Sequence, residues 1–183
     1  MATQRIHDRA ILDALEALTP EPLATTAWRI VRKGRDPLRG SAAFGRWTPI
    51  GEFEVLYTSL ARDGALAEVG YRLGLEPVWP TRIQHRLHEI AVRTARTLRL
   101  ADLAALAPLG VDVNRYESFD YSATRAIAAA AHFLEFDGLI VPSARYQGSN
   151  LVLFTDRVPA AGLKVLRGED VNWKEWRKVN RQG

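Results

Sequence analysis

An alanine-rich segment followed by two short apolar runs sets the narrowest limits on how this chain can fold. Ser122 to Phe136, SATRAIAAAAHFLEF, opens on a residue suited to an N-cap and continues in strong helix formers, which predicts a helix. Its small side chains imply close packing against a sheet. The turn Asp137-Gly138 then leads into an apolar run at Leu139–Val141, and a polar interruption separates this from a second, LVLF, at Leu151–Phe154. Such short, uniformly apolar runs bounded by turn residues read as buried strands. They place Ser143 at the end of one strand, at the rim of the sheet.

The remaining segments fit around that nucleus. Residues 5–18 carry apolar positions at three- and four-residue spacings and stop at Thr19-Pro20, which predicts an N-terminal helix. Strands are expected at Thr25–Arg32, at Phe53–Ser59 and within 82–94, with a helix at Ala61–Leu75. LRLADLAAL is expected to be a short strand or turn entering a small helix that ends at Pro108-Leu109-Gly110. Leu163–Leu166 reads as an edge strand. The basic tail over 168–183, with Trp173 and Trp176 three residues apart, either caps the core or meets a partner. With 183 residues and no internal repeat, one α+β domain over 1–183 is the simplest organisation.

Composition narrows the chemistry. The absence of cysteine removes disulfides, thiolate nucleophiles and thiolate metal sites. The four histidines, His7, His85, His88 and His132, form neither HxxxH nor HExxH, so no metal site is expected. No apolar run reaches the length of a membrane span and the N-terminal residues lack a clean apolar signal core, which points to the cytoplasm. The net charge of +4 suits an anionic ligand or partner. Because the arginines are scattered and not grouped in tracts, direct nucleic-acid binding is the weaker reading.

The densest signal lies between Gly45 and Leu73, where a Gly-Arg-Trp turn, a strand ending near Tyr57 and a helix bearing Glu68 follow within 30 residues. Lys33 to Gly51 holds four glycines and two prolines, the composition of a long ordered loop. It matches neither the GxxxxGK[ST] nor the strand-led GxGxxG phosphate loop. Arg35, Arg39 and Arg46 offer forked donors to a pyrophosphate, and for Arg35 and Arg39 a solvated loop is the preferred reading. Arg29, between Trp28 and Ile30, is either an outward residue on a half-solvated sheet or a ligand contact. Glu68 lies on or beside the apolar stripe Ala65, Leu66, Val69, Leu73, and its spacing to Arg72 also allows an ordinary surface pair. Ser143 has no GxSxG elbow around it.

Taken in order, Trp28-Arg29-Ile30, AFGRWTPIG at 43–51, VLYTS at 55–59, ALAE at 65–68, FDGLIVPSAR at 136–145 and GSNLVLF at 148–154 resemble the RES-domain family. The resemblance covers about residues 26–156. It implies a fold similar to ADP-ribosyltransferases, a mixed, mainly antiparallel split sheet with helices and NAD+ in a central cleft. It also implies a toxin partnered by an Xre-like DNA-binding antitoxin. By position it assigns Arg29 and Arg46 as the arginines of the site, Tyr57 as its aromatic wall, Glu68 as its carboxylate and Ser143 as its serine. Catalysis would fall to Glu68, Arg29 and Ser143, and NAD+ contacts to Arg29, Arg46, Tyr57 and Ser143. The reaction implied is cleavage of the nicotinamide–ribose bond with ADP-ribose passed to water, phosphate or a protein. Phe44 and Thr48 stand where the family usually has glycine and asparagine, which predicts a stiffer loop and an altered contact at Thr48. A non-enzymatic basic module that binds nucleic acid or an acidic partner is the competing class.

Overall fold

The computed structural model describes residues 5–180. Helix α1 (Arg9–Glu16) is capped by the Asp8 side chain, which accepts from the Ala10 N–H, and its Leu15 is fully buried. Strand β1 (Glu21–Arg32) starts earlier than the β-branched run predicts. β2 (Val55–Ser59) leads into α2 (Arg62–Gly74), and β3 (His85–Arg99) is the longest strand. The short helix α3 (Leu103–Leu106), two 3-10 turns and α4 (Ser122–Phe133) follow, then β4 (Gly138–Pro142) and β5 (Ser149–Phe154). The chain closes with β6 (Leu163–Asp170) and α5 (Trp173–Asn180). Ser122 does not cap α4. That place falls to Tyr121, which makes no side-chain cap, and the Ser122 hydroxyl donates back to Asp120 at 2.7 Å.

The strands run in the order β1-β2-β5-β4-β3, and β1 also pairs with β3, so five strands close on themselves. The expected split sheet is therefore a closed barrel. The length of β3 explains the difference. One flank pairs with β1 from His85 to Thr97, while the other carries β6 over Arg86–Val92 and then β4 over Thr97–Arg99. The β3–β4 pair is parallel and every other pair is antiparallel, so the mixed, mainly antiparallel character holds. The seam is the β1–β2 pair, joined in register only at Trp28–Ser59. β6 lies outside the ring as an edge strand.

Side-chain alternation divides the core in two. Leu56, Ile90, Val92, Ile140, Leu151 and Leu153 pack together inside the barrel with Ala27. Val55, Leu139, Val141, Val152 and Phe154, one step along the same strands, face outward against α1 and the alanines of α4. β4 and β5 are thus buried on both faces, which is why they read as continuous apolar runs. The C-terminal tail caps the core: Trp173 is buried and its indole N–H donates to Nδ1 of His85 at 3.1 Å. No helix among the described residues is long and apolar enough to cross a membrane.

Candidate active site

The outward face of β2, β5 and β4 carries Tyr57, Ser59, Asn150, Val152 and Val141 in neighbouring register positions, and Ser143 follows at the same alternation just past β4. Helix α2 lies over the end of this row. It comes close because Gly64 has no side chain, and a Cβ there would stand 2.3 Å from the Ser59 hydroxyl. Buried Ala65 and Leu66 fix the rotation of α2, and Glu68 then faces the barrel wall, half-buried. Its Oε1 accepts from the Ser143 hydroxyl at 2.6 Å and from the Asn150 amide at 2.9 Å. The Glu68/Arg72 surface pair that spacing permits does not form among the described residues, because these two donors draw the carboxylate inward. Ser143 is held in turn: its N–H donates to the Gly148 carbonyl at 2.9 Å, and its hydroxyl accepts from the Arg145 N–H at 3.2 Å. The Arg145 guanidinium lies 3.6 Å from the ring centroid of Tyr71, one turn of α2 beyond Glu68.

Arg29 works at the seam. It shares the inward alternation of Ala27, and it donates from Nη1 to the Tyr57 carbonyl at 2.9 Å and from Nη2 to the Arg39 carbonyl at 3.1 Å. Its guanidinium so bridges β1, β2 and the loop before β2 where strand pairing is thinnest. Burial lowers its pKa to about 10, with Asp36 opposing and Arg72 adding to the shift. Its Nε is buried with no protein partner among the described residues. The outward-facing reading of Arg29 is therefore corrected, since the carbonyls turn the charge inward.

Tyr57 sends its hydroxyl into the 45–48 turn, where it accepts from the Trp47 N–H at 2.8 Å and shares a hydrogen bond with Thr48 Oγ1 at 2.7 Å. Burial raises its pKa to about 12, against the pull of these hydrogen bonds and of Arg125 and Arg72. Gly45 is required here, because a Cβ would lie 2.3 Å from that hydroxyl. Thr48, where an altered contact is expected, meets the Tyr57 hydroxyl in the interior and is only 1% exposed. Arg46 donates to the carbonyls of Tyr116 and Ser118 and lies 4.7 Å from the ring centroids of both Tyr116 and Tyr121. The Tyr116 hydroxyl donates to the Pro142 carbonyl at 2.7 Å, directly before Ser143. Burial drives the Tyr116 pKa upward; Arg46 opposes this and the Glu68 charge adds to it.

Glu68 and Ser143 thus meet directly, Arg46 reaches them through Tyr116, and Arg29 touches the backbone of Tyr57 without touching Glu68. Nothing in the sequence alone marks Asn150 or Arg145 as part of the site. The only signal for Asn150 was a polar residue beside the apolar run LVLF. Grooves of about 360 and 770 Å³ lie elsewhere, around Trp79, Trp173 and Trp176. Of the acidic side chains there, Asp170 is tied to Lys33 and Arg86. The site centred on Glu68 is the better candidate because it combines a half-buried carboxylate with two convergent donors from the barrel wall.

The profile of the family described as RES domain matches residues 26–174. The chain is a RES-domain protein. The matched span runs past the second apolar strand to include β6 and Trp173. Among curated relatives of this RES-domain chain, a Mycobacterium tuberculosis protein named probable NAD(+) phosphorylase Rv3189 is 33% identical over 156 residues, covering 81% of this chain and 73% of its own length. NAD(+) phosphorylase MbcT of Mycobacterium bovis is 24% identical over 170 residues, covering 90% of this chain and 91% of its own. Among solved structures, the crystal structure of the M. tuberculosis MbcT-MbcA toxin-antitoxin complex contains a chain that superposes with a TM-score of 0.83. It shares 23% identity, and the match covers 95% of this chain and 98% of that one, which establishes the shared fold.

Proposed function

We propose that this RES-domain protein consumes NAD+ by breaking the bond between nicotinamide and ribose, with orthophosphate as the acceptor. The observation that carries the reading is the Glu68 carboxylate held by Ser143, 75 residues away in sequence, at 2.6 Å. Two of the three residue types that give the family its name meet at one hydrogen bond. The relatives named NAD(+) phosphorylases support phosphate over water or a protein as the acceptor.

In this reaction the C–N glycosidic bond breaks with its electron pair leaving on nicotinamide, which departs neutral. A phosphate oxygen then forms the new C–O bond to the ribose carbon. The transition state resembles an oxocarbenium ion, and nicotinamide is a competent leaving group without protonation. The protein's task is to stabilise charge rather than to move a proton. Glu68, in its ionised form, supplies negative charge and a hydrogen-bond acceptor for a ribose hydroxyl. Ser143 keeps the carboxylate in place, Arg29 supports the site from behind by tying β1 to the Tyr57 backbone, and Arg46 and Tyr57 shape the wall by holding the loops at 45–48 and 116–118. The protein acts as a toxin in the cytoplasm, restrained by a cognate antitoxin of the Xre-like DNA-binding type. The solved relative in complex with MbcA supports an antitoxin partner.

The basic-module alternative is weakened by charge pairing. Arg62, Arg86, Arg99 and Arg167 each face a carboxylate, which leaves fewer free cations for nucleic acid. Mass spectrometry of NAD+ incubated with the protein, with and without orthophosphate, tests the proposal. Nicotinamide and ADP-ribose phosphate are expected, with turnover that depends on phosphate. Free ADP-ribose or a modified protein would overturn the acceptor, and intact NAD+ would overturn the activity.

A further inference from the structure

We infer that Asn150 is a positioning residue for the Glu68 carboxylate, acting as the second of two donors that lock one of its oxygens and leave the other for substrate. This rests on the NAD+ reading for its consequence but not for its geometry.

Both protein hydrogen bonds to Glu68 end on the same atom. Ser143 Oγ and Asn150 Nδ2 donate to Oε1 at 2.6 and 2.9 Å, and among the described residues no donor reaches Oε2. A carboxylate held by one donor still rotates about it. Two donors from different places in the barrel wall hold the carboxylate by one oxygen, and the other is left without a protein donor among the described residues, free to accept from a ribose hydroxyl. The donors come from the sheet itself: Asn150 is the second residue of β5 and is paired with Ser59 on one side and Val141 on the other, while Ser143 directly follows β4.

The state of the amide itself indicates what it is held for. Asn150 Oδ1 is buried and without a partner, so the side chain carries an unsatisfied acceptor. Rotating the amide would set Oδ1 against Glu68 Oε1, two acceptors facing each other, so the donor must be the group that meets the carboxylate. An amide that loses a hydrogen bond at one end is kept for the one it makes at the other. The charged and titratable groups around Glu68 are Arg72 on its own helix and, from other elements, Arg145 after β4 and Tyr116 behind Pro142. None of them takes the place of Asn150 on Oε1.

The test compares Asn150→Ala, Asn150→Asp, Glu68→Ala and the Asn150→Ala/Glu68→Ala double variant in steady-state NAD+ consumption and urea denaturation. Asn150→Ala is expected to lower kcat by about 10- to 100-fold, the scale of a misplaced catalytic group, with KM for NAD+ little changed. Asn150→Asp keeps the shape but replaces the donor with a second carboxylate, so it is expected to be at least as impaired, whereas a side chain that only fills space would tolerate Asp. On the Glu68→Ala background, Asn150→Ala is expected to cost no further activity, and the urea midpoints of the parent, Asn150→Ala, Glu68→Ala and the double variant are expected to be non-additive. An Asn150→Asp protein with wild-type kcat, or additive midpoints, would overturn the inference. If the parent protein leaves NAD+ intact, the functional reading fails while the urea cycle still decides whether Asn150 and Glu68 are coupled.

Discussion

The hydroxyl of Tyr57 joins the 45–48 turn to β2, accepting from the Trp47 N–H and meeting Thr48. Tyr57→Phe keeps the ring and strands that N–H in a buried place, so a loss of about 1–3 kcal/mol in denaturant stability is expected. NAD+ turnover should fall less than for Glu68→Ala, since the hydroxyl faces the turn and not the carboxylate. At this scale the sequence supplied residue types but not their partners. Glu68 with Arg72 four residues on is what helical spacing offers, and Ser143 and Asn150, 75 and 82 residues away, can be seen only once the barrel closes. Arg29 is similar: its position in an apolar strand posed the question, but the carbonyls that answer it belong to Tyr57 and Arg39.

Helix α2 carries Glu68 at a depth set by Gly64. Gly64→Ala drives a methyl into the Ser59 hydroxyl, so α2 must lift, and overpacking of this kind costs about 1–3 kcal/mol. Differential scanning calorimetry is expected to show the lowered Tm, and NAD+ turnover to fall with it, because Glu68 rides on the displaced helix. Helix α5 depends on protonation. Burial lowers the His85 pKa below its ordinary value of 6.5, with Arg32 adding to the shift and the Ile83 backbone opposing it, and Trp173 needs Nδ1 unprotonated as an acceptor. The unfolded chain then binds the proton more readily, so this contribution to stability is complete above about pH 6.5 and lost as the pH falls toward the depressed value. Burial lowers His88 in the same direction, with Arg86 and Arg29 adding. Urea midpoints are expected to drop between about pH 7.5 and pH 5.5, and His85→Asn to flatten that slope. The elements themselves were largely legible. The helices at α1, α2 and α4 and the strands β4 and β5 follow from periodicity and apolar runs, whereas β1 and β3 extend beyond their predicted ends because tertiary pairing, not propensity, sets where long strands stop.

For the whole molecule, the departure from a split sheet to a closed barrel comes from the length and double flank of β3 and from a seam that strand pairing barely holds. No local pattern announces ring closure, which depends on which strands share β3. Arg29 is the side chain that strengthens the seam, so Arg29→Lys, with a point charge in place of a fork, cannot hold both carbonyls. It is expected to lower stability and to raise hydrogen exchange in β2 and in the 33–51 loop. An Arg29→Lys protein with unchanged exchange there would assign the guanidinium to substrate alone. The account as a whole rests on the Glu68 carboxylate. The most direct measurement is the rate of NAD+ loss, with phosphate present, for the parent protein and for folded Glu68→Ala and Glu68→Gln proteins side by side. The account predicts turnover by the parent and a loss of at least about 100-fold in both variants. NAD+ consumption at the parent rate by either variant would contradict it.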